Sequence, residues 1–396
     1  MEDHRKLGRE LELFHSAPLV GAGLPIWLPD GAAARHAVES FVREEERRAG
    51  YRHVYSPPLA RREMYERSGH LAHFGDDMFP GMADGEDELY LRPSLCPHHA
   101  MVFGARGRSY RELPLRIAEL GPMYRAERSG VVGGLARVRA ISLNDGHVFC
   151  APEQAREEVG EVLRMIVRAH CALGIPDARY RLSLRGEGNA KYVDAPAAWA
   201  EAEAVLRAAA ADAGLDVDEA PGEAAFYGPK IDVQVRDAAG REWSLSTVQL
   251  DFHQPARFDL SYVDAGGERR VPAMVHRSVV GSMERLFAHL IEVHGGAFPA
   301  WYAPVQVVVL PVGEAQDAAA RKFADACVAA GLRAEVDHAG SVAARIRKAM
   351  RVPYVAVVGE REEAAGSVAL RRRDGQRLDP MPVASGVGYL VSACAP

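Results

Sequence analysis

Two stretches long enough for extended strands, 115–127 and 136–149, are joined through Arg128-Ser129-Gly130-Val131-Val132-Gly133-Gly134, and this segment constrains the fold more than any other. A Gly-rich turn between such segments predicts an antiparallel hairpin. A hairpin is marginal alone, so further strands and covering helices are required. Side chains alternate along a strand, which sets Arg137, Arg139, Ile141, Leu143, Asp145 and His147 on one face of the second arm. Glu119, Arg125 and Glu127 share a face of the first arm, and one register brings them beside the arginines. Such a face suits a charged ligand, and it equally suits a solvated sheet crossed by ion pairs.

The rest of the first 303 residues agrees with an antiparallel sheet backed by helices. A helix is expected from Ala32 to Ala49, with Val38, Phe41 and Val42 on one side and Gly50 as its stop, leading into a strand at 51–55 and then Pro57-Pro58. A strand at 273–280 precedes Gly281 and a helix whose Met283, Leu286, Phe287, Leu290 and Ile291 follow helical spacing. After residue 303 the pattern changes to strand 305–310, helix 314–330, strand 332–336, helix 341–350 and strand 354–358. That alternation predicts a small α/β domain with a largely parallel sheet. A chain of 396 residues is too long for one core, so two domains are expected, an α+β domain at 1–303 and an α/β domain at 304–396.

Charge and composition narrow the function classes. Net charge is −6, with +2 from Pro304 onward and −8 before it, so contact with nucleic acid needs a local basic patch, for which Arg371, Arg372, Arg373 and Arg377 are candidates. No apolar run approaches the roughly 18 residues of a bilayer span, and the first residues are charged, which points to a cytoplasmic protein without membrane contact. The five cysteines are scattered without CxxC pairs, which argues against a disulfide framework.

Several pieces then fall together: Tyr124-Arg125-Ala126-Glu127 with its Gly-rich loop, Asn144-Asp145-Gly146-His147, Phe226-Tyr227-Gly228-Pro229-Lys230, Thr247-Val248-Gln249-Leu250-Asp251-Phe252 and Gly281-Ser282-Met283-Glu284-Arg285. With His4-Arg5-Lys6-Leu7-Gly8, their order and spacing resemble the threonyl-tRNA synthetases of the class II aminoacyl-tRNA synthetase family. The resemblance covers nearly the whole chain and implies a catalytic core followed by an anticodon-binding domain, without the N-terminal domains that carry editing.

The resemblance implies one zinc per chain on Cys96, His147 and His276. Three such ligands leave a fourth position for substrate. His98 and His99 are read as structural or solvated, although His98 stands where the family has Gly. Arg125 and Arg285 are implied as the catalytic arginines. The ATP site is implied to comprise these two with Glu127, Arg137 and Gln249, with Mg2+ accompanying the nucleotide. The amino-acid pocket is implied at Asp145, Tyr227, Leu143, Lys230 and Gln249. A carboxylate is ionised at neutral pH, so its attack on the α-phosphate needs alignment and charge neutralisation rather than a base. Partners implied are ATP, threonine or a related β-substituted amino acid, tRNA, and a second copy of the chain paired through the helix at 32–49 and the strand before Pro57.

The chain also departs from that family. Leu143 replaces a Gln of the pocket, Asn144 and Gly146 replace Asp and Ala, Ile141 replaces an aromatic, and the segment from Asp337 to Ala344 lacks an expected Glu-Lys pair. The expected activity is ATP-dependent activation of threonine and its transfer to tRNA. The alternatives are a paralogue activating an amino acid for a biosynthetic pathway or carrier protein with little anticodon reading, and a module that keeps the fold without the chemistry.

Overall fold

The hairpin forms with shorter arms, Leu115–Tyr124 and Ala140–Cys150, in a computed structural model that describes residues 2–175, 178–187 and 192–396. Its ladder runs from Leu115 opposite Phe149 to Tyr124 opposite Ala140. One more rung follows, the Arg125 amide donating to the Arg139 carbonyl, and beyond it the backbone leaves the ladder, because the Ala126 amide donates to the Asp77 carbonyl and the Arg139 amide to that of Gly23. The connection is therefore wide. Arg125, Glu127, Arg137 and Arg139 lie on it rather than on the strand face where alternation sets them.

The hairpin sits in an eight-stranded sheet of β1 (Arg52–His53), β2 (Leu115–Tyr124), β3 (Ala140–Cys150), β4 (Arg179–Leu184), β5 (Val217–Pro221), β6 (Lys230–Arg236), β7 (Glu242–Asp251) and β8 (Ala273–Ser278). The order is β5-β4-β6-β7-β8-β3-β2-β1. Pairing is antiparallel except between β4 and β5 and between β1 and β2. This is the expected α+β architecture, although the strand foreseen at 51–55 is reduced to two residues at the sheet edge.

Five helices matter to this region and its surroundings: α1 (Pro29–Arg48), α2 (Cys96–Gly104), α3 (Ala155–Leu173), α4 (Pro196–Asp212) and α5 (Met283–His294). Along α3, Val159, Val162, Leu163 and Ile166 recur at three- and four-residue spacing and are buried, packing the helix against β7 and β8. Each such side chain contributes roughly 1.5–3 kcal/mol relative to exposure. Gly174, at φ +70°, closes α3 in the left-handed conformation that glycine adopts without penalty. On α1 the apolar side is already used within the chain: Val38 and Val42 are buried and Phe41 lies 4.9 Å from the Trp301 ring. That side is therefore no free surface for a second copy.

The chain divides into two compact units, Ser16–Pro25 with Val42–His289, and Met1–His15 and Ile26–Phe41 with Leu290–Pro396. The second unit contains the five-stranded sheet β9 (Val307–Pro311), β10 (Ala334–Val336), β11 (Tyr354–Val358), β12 (Ser367–Arg372) and β13 (Met381–Pro382), in the order β10-β9-β11-β12-β13. In this sheet β9 lies between β10 and β11 and runs parallel to both, and β12 runs antiparallel to β11. All five residues of β9 are buried, as a strand covered on both faces requires. Among the described residues no helix is long and apolar enough to cross a membrane.

Candidate active site

Strand register assembles the site. Lys230 on β6 stands opposite Gln249 on β7, Gln249 opposite His276 on β8, and His276 opposite His147 on β3. Four polar side chains thus form one row across four strands, on a shared face. His147 Nε2 lies 3.0 Å from His276 Nδ1. Cys96, in the first turn of α2, brings its Sγ to the same point, and one donor atom from each of Cys96, His147 and His276 lies within 4.8 Å of the others. All three residues are buried.

Each is held from behind. Asp251 Oδ2 lies 2.9 Å from His276 Nε2, while its Oδ1 accepts from the backbone amides of His253 and Gln254. Gln254 Nε2 donates to Cys96 Sγ at 3.7 Å, and His70 Nε2 lies 3.9 Å from the same sulfur. His99 Nδ1 lies 2.6 Å from His147 Nδ1. Sequence reasoning gives none of Asp251, Gln254 and His99 a place in the site, and it reads His99 as structural or solvated. One signal is available: His99 follows Cys96 by three residues on a helix, which places both on one side. His98 is buried but turns elsewhere, its Nε2 3.5 Å from the Leu59 carbonyl.

The electrostatics are those of a desolvated site with opposed demands. Burial alone would raise the Cys96 thiol, yet its hydrogen bonds with His276 and His70 outweigh that and bring it well below the usual thiol range. Burial would lower His276, and Asp251 with the Cys96 sulfur raises it instead. His147 is driven far down by burial, with the charges of His276 and His99 acting in the same direction. Burial pushes the Asp145 carboxyl up to about 6, against the opposing pull of His99.

Beside this group opens a cavity of about 300 Å³ lined by Arg125, Glu127, Arg137, Leu143, Asp145, Tyr227, Lys230, Gln249, His276 and Arg285. Cys96 and His147 do not line it. Burial lowers Arg125 and Arg285 from the ordinary guanidinium value, and the two, with Arg137, repel one another. An anion placed among them would relieve that repulsion. Arg285 is fixed by donating to the carbonyls of Ala136 and Ser244, each at 3.1 Å, with its guanidinium 5.6 Å from the Trp243 ring. Arg137 pairs with Glu127 at 2.8 Å. The Tyr227 hydroxyl donates to Gln249 Oε1 at 2.5 Å while its ring stacks on His276, and Lys230 Nζ lies 2.7 Å from Asp232. Leu143, with Ile141 beside it on the same strand, presents hydrocarbon to a cavity that Asp145, Gln249 and the arginines also line.

Gly281 links β8 to the start of α5 with φ +71°, and a Cβ there would lie 2.2 Å from the Leu245 carbonyl oxygen. Only glycine fits, and the close approach sets where α5 begins and hence where Arg285 projects.

Comparison with known proteins places this geometry among relatives. The family described as tRNA synthetase class II core domain (G, H, P, S and T) matches residues 79–294, and the anticodon binding domain family matches residues 306–393. The threonine--tRNA ligase of Rubrobacter xylanophilus is 49% identical over 384 residues, covering 96% of this chain, and that of Thermus thermophilus is 48% identical over 390 residues, covering 97%. The chain spans about 60% of the length of these curated relatives. Among solved structures, the RNA binding domain of threonyl-tRNA synthetase from Cryptosporidium parvum Iowa II superposes with a TM-score of 0.93 at 33% identity, over 100% of this chain and 99% of that one.

Proposed function

The chain belongs to the class II tRNA synthetase family, and from that premise we propose that it activates threonine, or a closely related β-substituted amino acid, with ATP and transfers it to tRNA. The observation that carries this reading is the opening of the arginine-lined cavity directly onto the row that contains His276. In the activation step the amino-acid carboxylate attacks the α-phosphate of ATP, forming an acyl phosphate bond as the bond to pyrophosphate breaks. Arg125 and Arg285 are the groups in the cavity that can neutralise the developing charge and hold both oxygens in line. Glu127 would accept from the adenine amino group, and Arg137 would turn from Glu127 toward the outer phosphates, with Mg2+ accompanying them.

Cys96, His147 and His276 fit a zinc ion: a lowered thiol, two imidazoles turned donor to donor at 3.0 Å, and an acceptor behind His276 are what that donor set needs. Zinc held there supplies a Lewis-acidic position for the amine and β-hydroxyl of the substrate. Asp145 then accepts from that hydroxyl, and Tyr227 with Gln249 closes one side of the pocket, while Lys230 is held by Asp232 at its edge. Valine, lacking the hydroxyl, leaves those groups unmatched, whereas serine lacks only a methyl worth about 1–3 kcal/mol.

Residues 1–303 would form the catalytic part and 304–396 the tRNA-reading part, a boundary supported by family matches that end at 294 and resume at 306. The protein would act as a homodimer through the β1 edge, where Tyr55 is 82% exposed. A cytoplasmic setting goes with this activity. Leu143 favours a second reading, a paralogue whose pocket takes a different side chain and serves a biosynthetic acceptor. Amino-acid-dependent ATP–pyrophosphate exchange across the twenty amino acids and several β-hydroxy analogues tests both. Threonine-dependent exchange is expected, an analogue preferred over threonine selects the second reading, and no exchange with any of them removes both.

A further inference from the structure

We propose that His99 is a positioning residue for the metal-binding group: with Glu119 behind it, it decides which nitrogen of His147 is free to ligate. The inference rests on the zinc reading of Cys96, His147 and His276. It follows from where single protons must sit.

The facing nitrogens, His147 Nε2 and His276 Nδ1, can both ligate only if neither carries hydrogen. For His276 this is arranged directly, since the Asp251 carboxylate can only accept and so draws the imidazole proton to Nε2. His147 has no carboxylate behind it. Its Nδ1 faces another imidazole nitrogen, Nδ1 of His99, at 2.6 Å. One of the two must donate, and two arrangements are open. In the first, His147 donates from Nδ1, His99 accepts, and the His99 proton sits on Nε2, leaving His147 Nε2 bare. In the second, His99 donates, His147 carries its proton on Nε2, and that proton points at His276 Nδ1. The second arrangement closes a hydrogen bond between the two would-be ligands and removes a donor from the metal.

Glu119 selects the first. Its Oε2 lies 3.2 Å from His99 Nε2 and can only accept, so the His99 proton is drawn there. The carboxylate is itself locked. Arg92 donates to Oε1 at 3.0 Å and the Ser56 hydroxyl to Oε2 at 2.6 Å, and Glu119, Arg92 and His99 are all buried. Carboxylate, imidazole and ligand imidazole thus form one chain in which every proton has a single position. A purely structural role would need packing and neutrality at these places, but not this direction of donation.

The test uses the full chain with zinc alone, measured by competition with a chromophoric chelator, and cobalt(II) alone, whose visible spectrum reports the ligand set. Glu119→Gln is the central variant, because it keeps the shape but can present an amide N–H to His99 Nε2 and so reverse the chain. It is expected to weaken zinc binding by about 10- to 100-fold. His99→Phe, which fills the ring space without an acceptor, is expected to do the same. His99→Asn, whose side-chain oxygen can accept near the Nδ1 position, should recover much of the affinity, which separates the direction of donation from the stability that Glu119→Gln also loses by leaving buried Arg92 without its carboxylate. Unaltered zinc affinity in Glu119→Gln and His99→Phe, where Cys96→Ser has lost it, overturns the role of His99 and leaves the zinc reading standing. An unaltered chain that takes up no zinc overturns both.

Discussion

Nδ1 of His276 stands 3.0 Å from Nε2 of His147 across the β8–β3 ladder, two buried bases turned donor to donor. Neutral imidazoles in that relation share a proton or a cation. With the Cys96 sulfur within reach of both, elemental analysis is expected to find about one zinc per chain. Cys96→Ser should lose it. A folded and fully active protein free of zinc would remove the claim.

Leu143 lies on the cavity wall between Ile141 and Asp145. If the pocket is shaped for threonine by polar contacts, Leu143→Gln restores a partner beside the bound amino acid, and a hydrogen bond to a charged group is worth about 1.5–3 kcal/mol. The expected gain in kcat/KM for threonine-dependent exchange is on the order of ten- to a hundredfold. No gain, with exchange already fast, means that the leucine is the residue this pocket uses.

Gly281→Ala sets a methyl 2.2 Å from the Leu245 carbonyl oxygen at a residue with φ +71°. Backbone has to move, at a cost of about 1–3 kcal/mol. Because Arg285 projects from the helix that starts here, thermal melting should fall and KM for ATP should rise together. A lower melting temperature with unchanged KM would separate Arg285 from the position of this turn.

Acid should destabilise the fold through His170. Its Nε2 lies 2.8 Å from Ser246 Oγ, and that hydroxyl donates to the Val279 carbonyl, so the imidazole donates from Nε2 and has no partner for a second proton. Burial first, and the charge of His289 second, bring it down to about 4. The unfolded chain takes up its proton near pH 6.5 and the folded one does not until about 4, so stability falls as pH drops through that window, by roughly 3 kcal/mol at most. His170→Gln keeps the donor and removes the titration. Its denaturant midpoint should decline less between pH 6.5 and 4 than that of the unaltered chain, and parallel declines would count against His170 as the cause.

Light scattering at micromolar concentration is expected to return twice the 43.0 kDa of one chain. Tyr55→Asp, at the exposed side of the β1 edge, should shift the population toward the single chain. A monomeric mass for the unaltered protein removes the proposed pairing.

Local pattern was sufficient for much of this molecule. Tyr354–Val358 is the strand that its run of apolar residues predicts, and Ser341 caps the helix beginning at Val342 because its hydroxyl is within reach of the Ala344 amide. Periodicity and caps act over a few residues, so the α+β and α/β regions and the hairpin were legible in the order of the amino acids, whereas the residues of the proposed zinc and phosphate site came from the family resemblance. Alternation failed at Arg137 and Arg139 for the same reason in reverse. The Arg139 amide is held by Gly23, a partner distant in sequence that no local pattern contains, and Arg137 is turned back onto Gly133 within the loop itself.

What only the tertiary structure decided is which atoms meet. The row from Lys230 through Gln249 and His276 to His147 depends on the register of four strands, and a slip of one residue in any of them would turn its member to the other face. The proton positions behind His276 and His147 depend on Asp251, and on His99 with Glu119, side chains whose own sequence surroundings give no sign of their partners. Sequence determines the chemistry that a residue can offer, because that is a property of its atoms. Direction, burial and the choice between two tautomers are set by neighbours, and neighbours are settled only when the sheet closes.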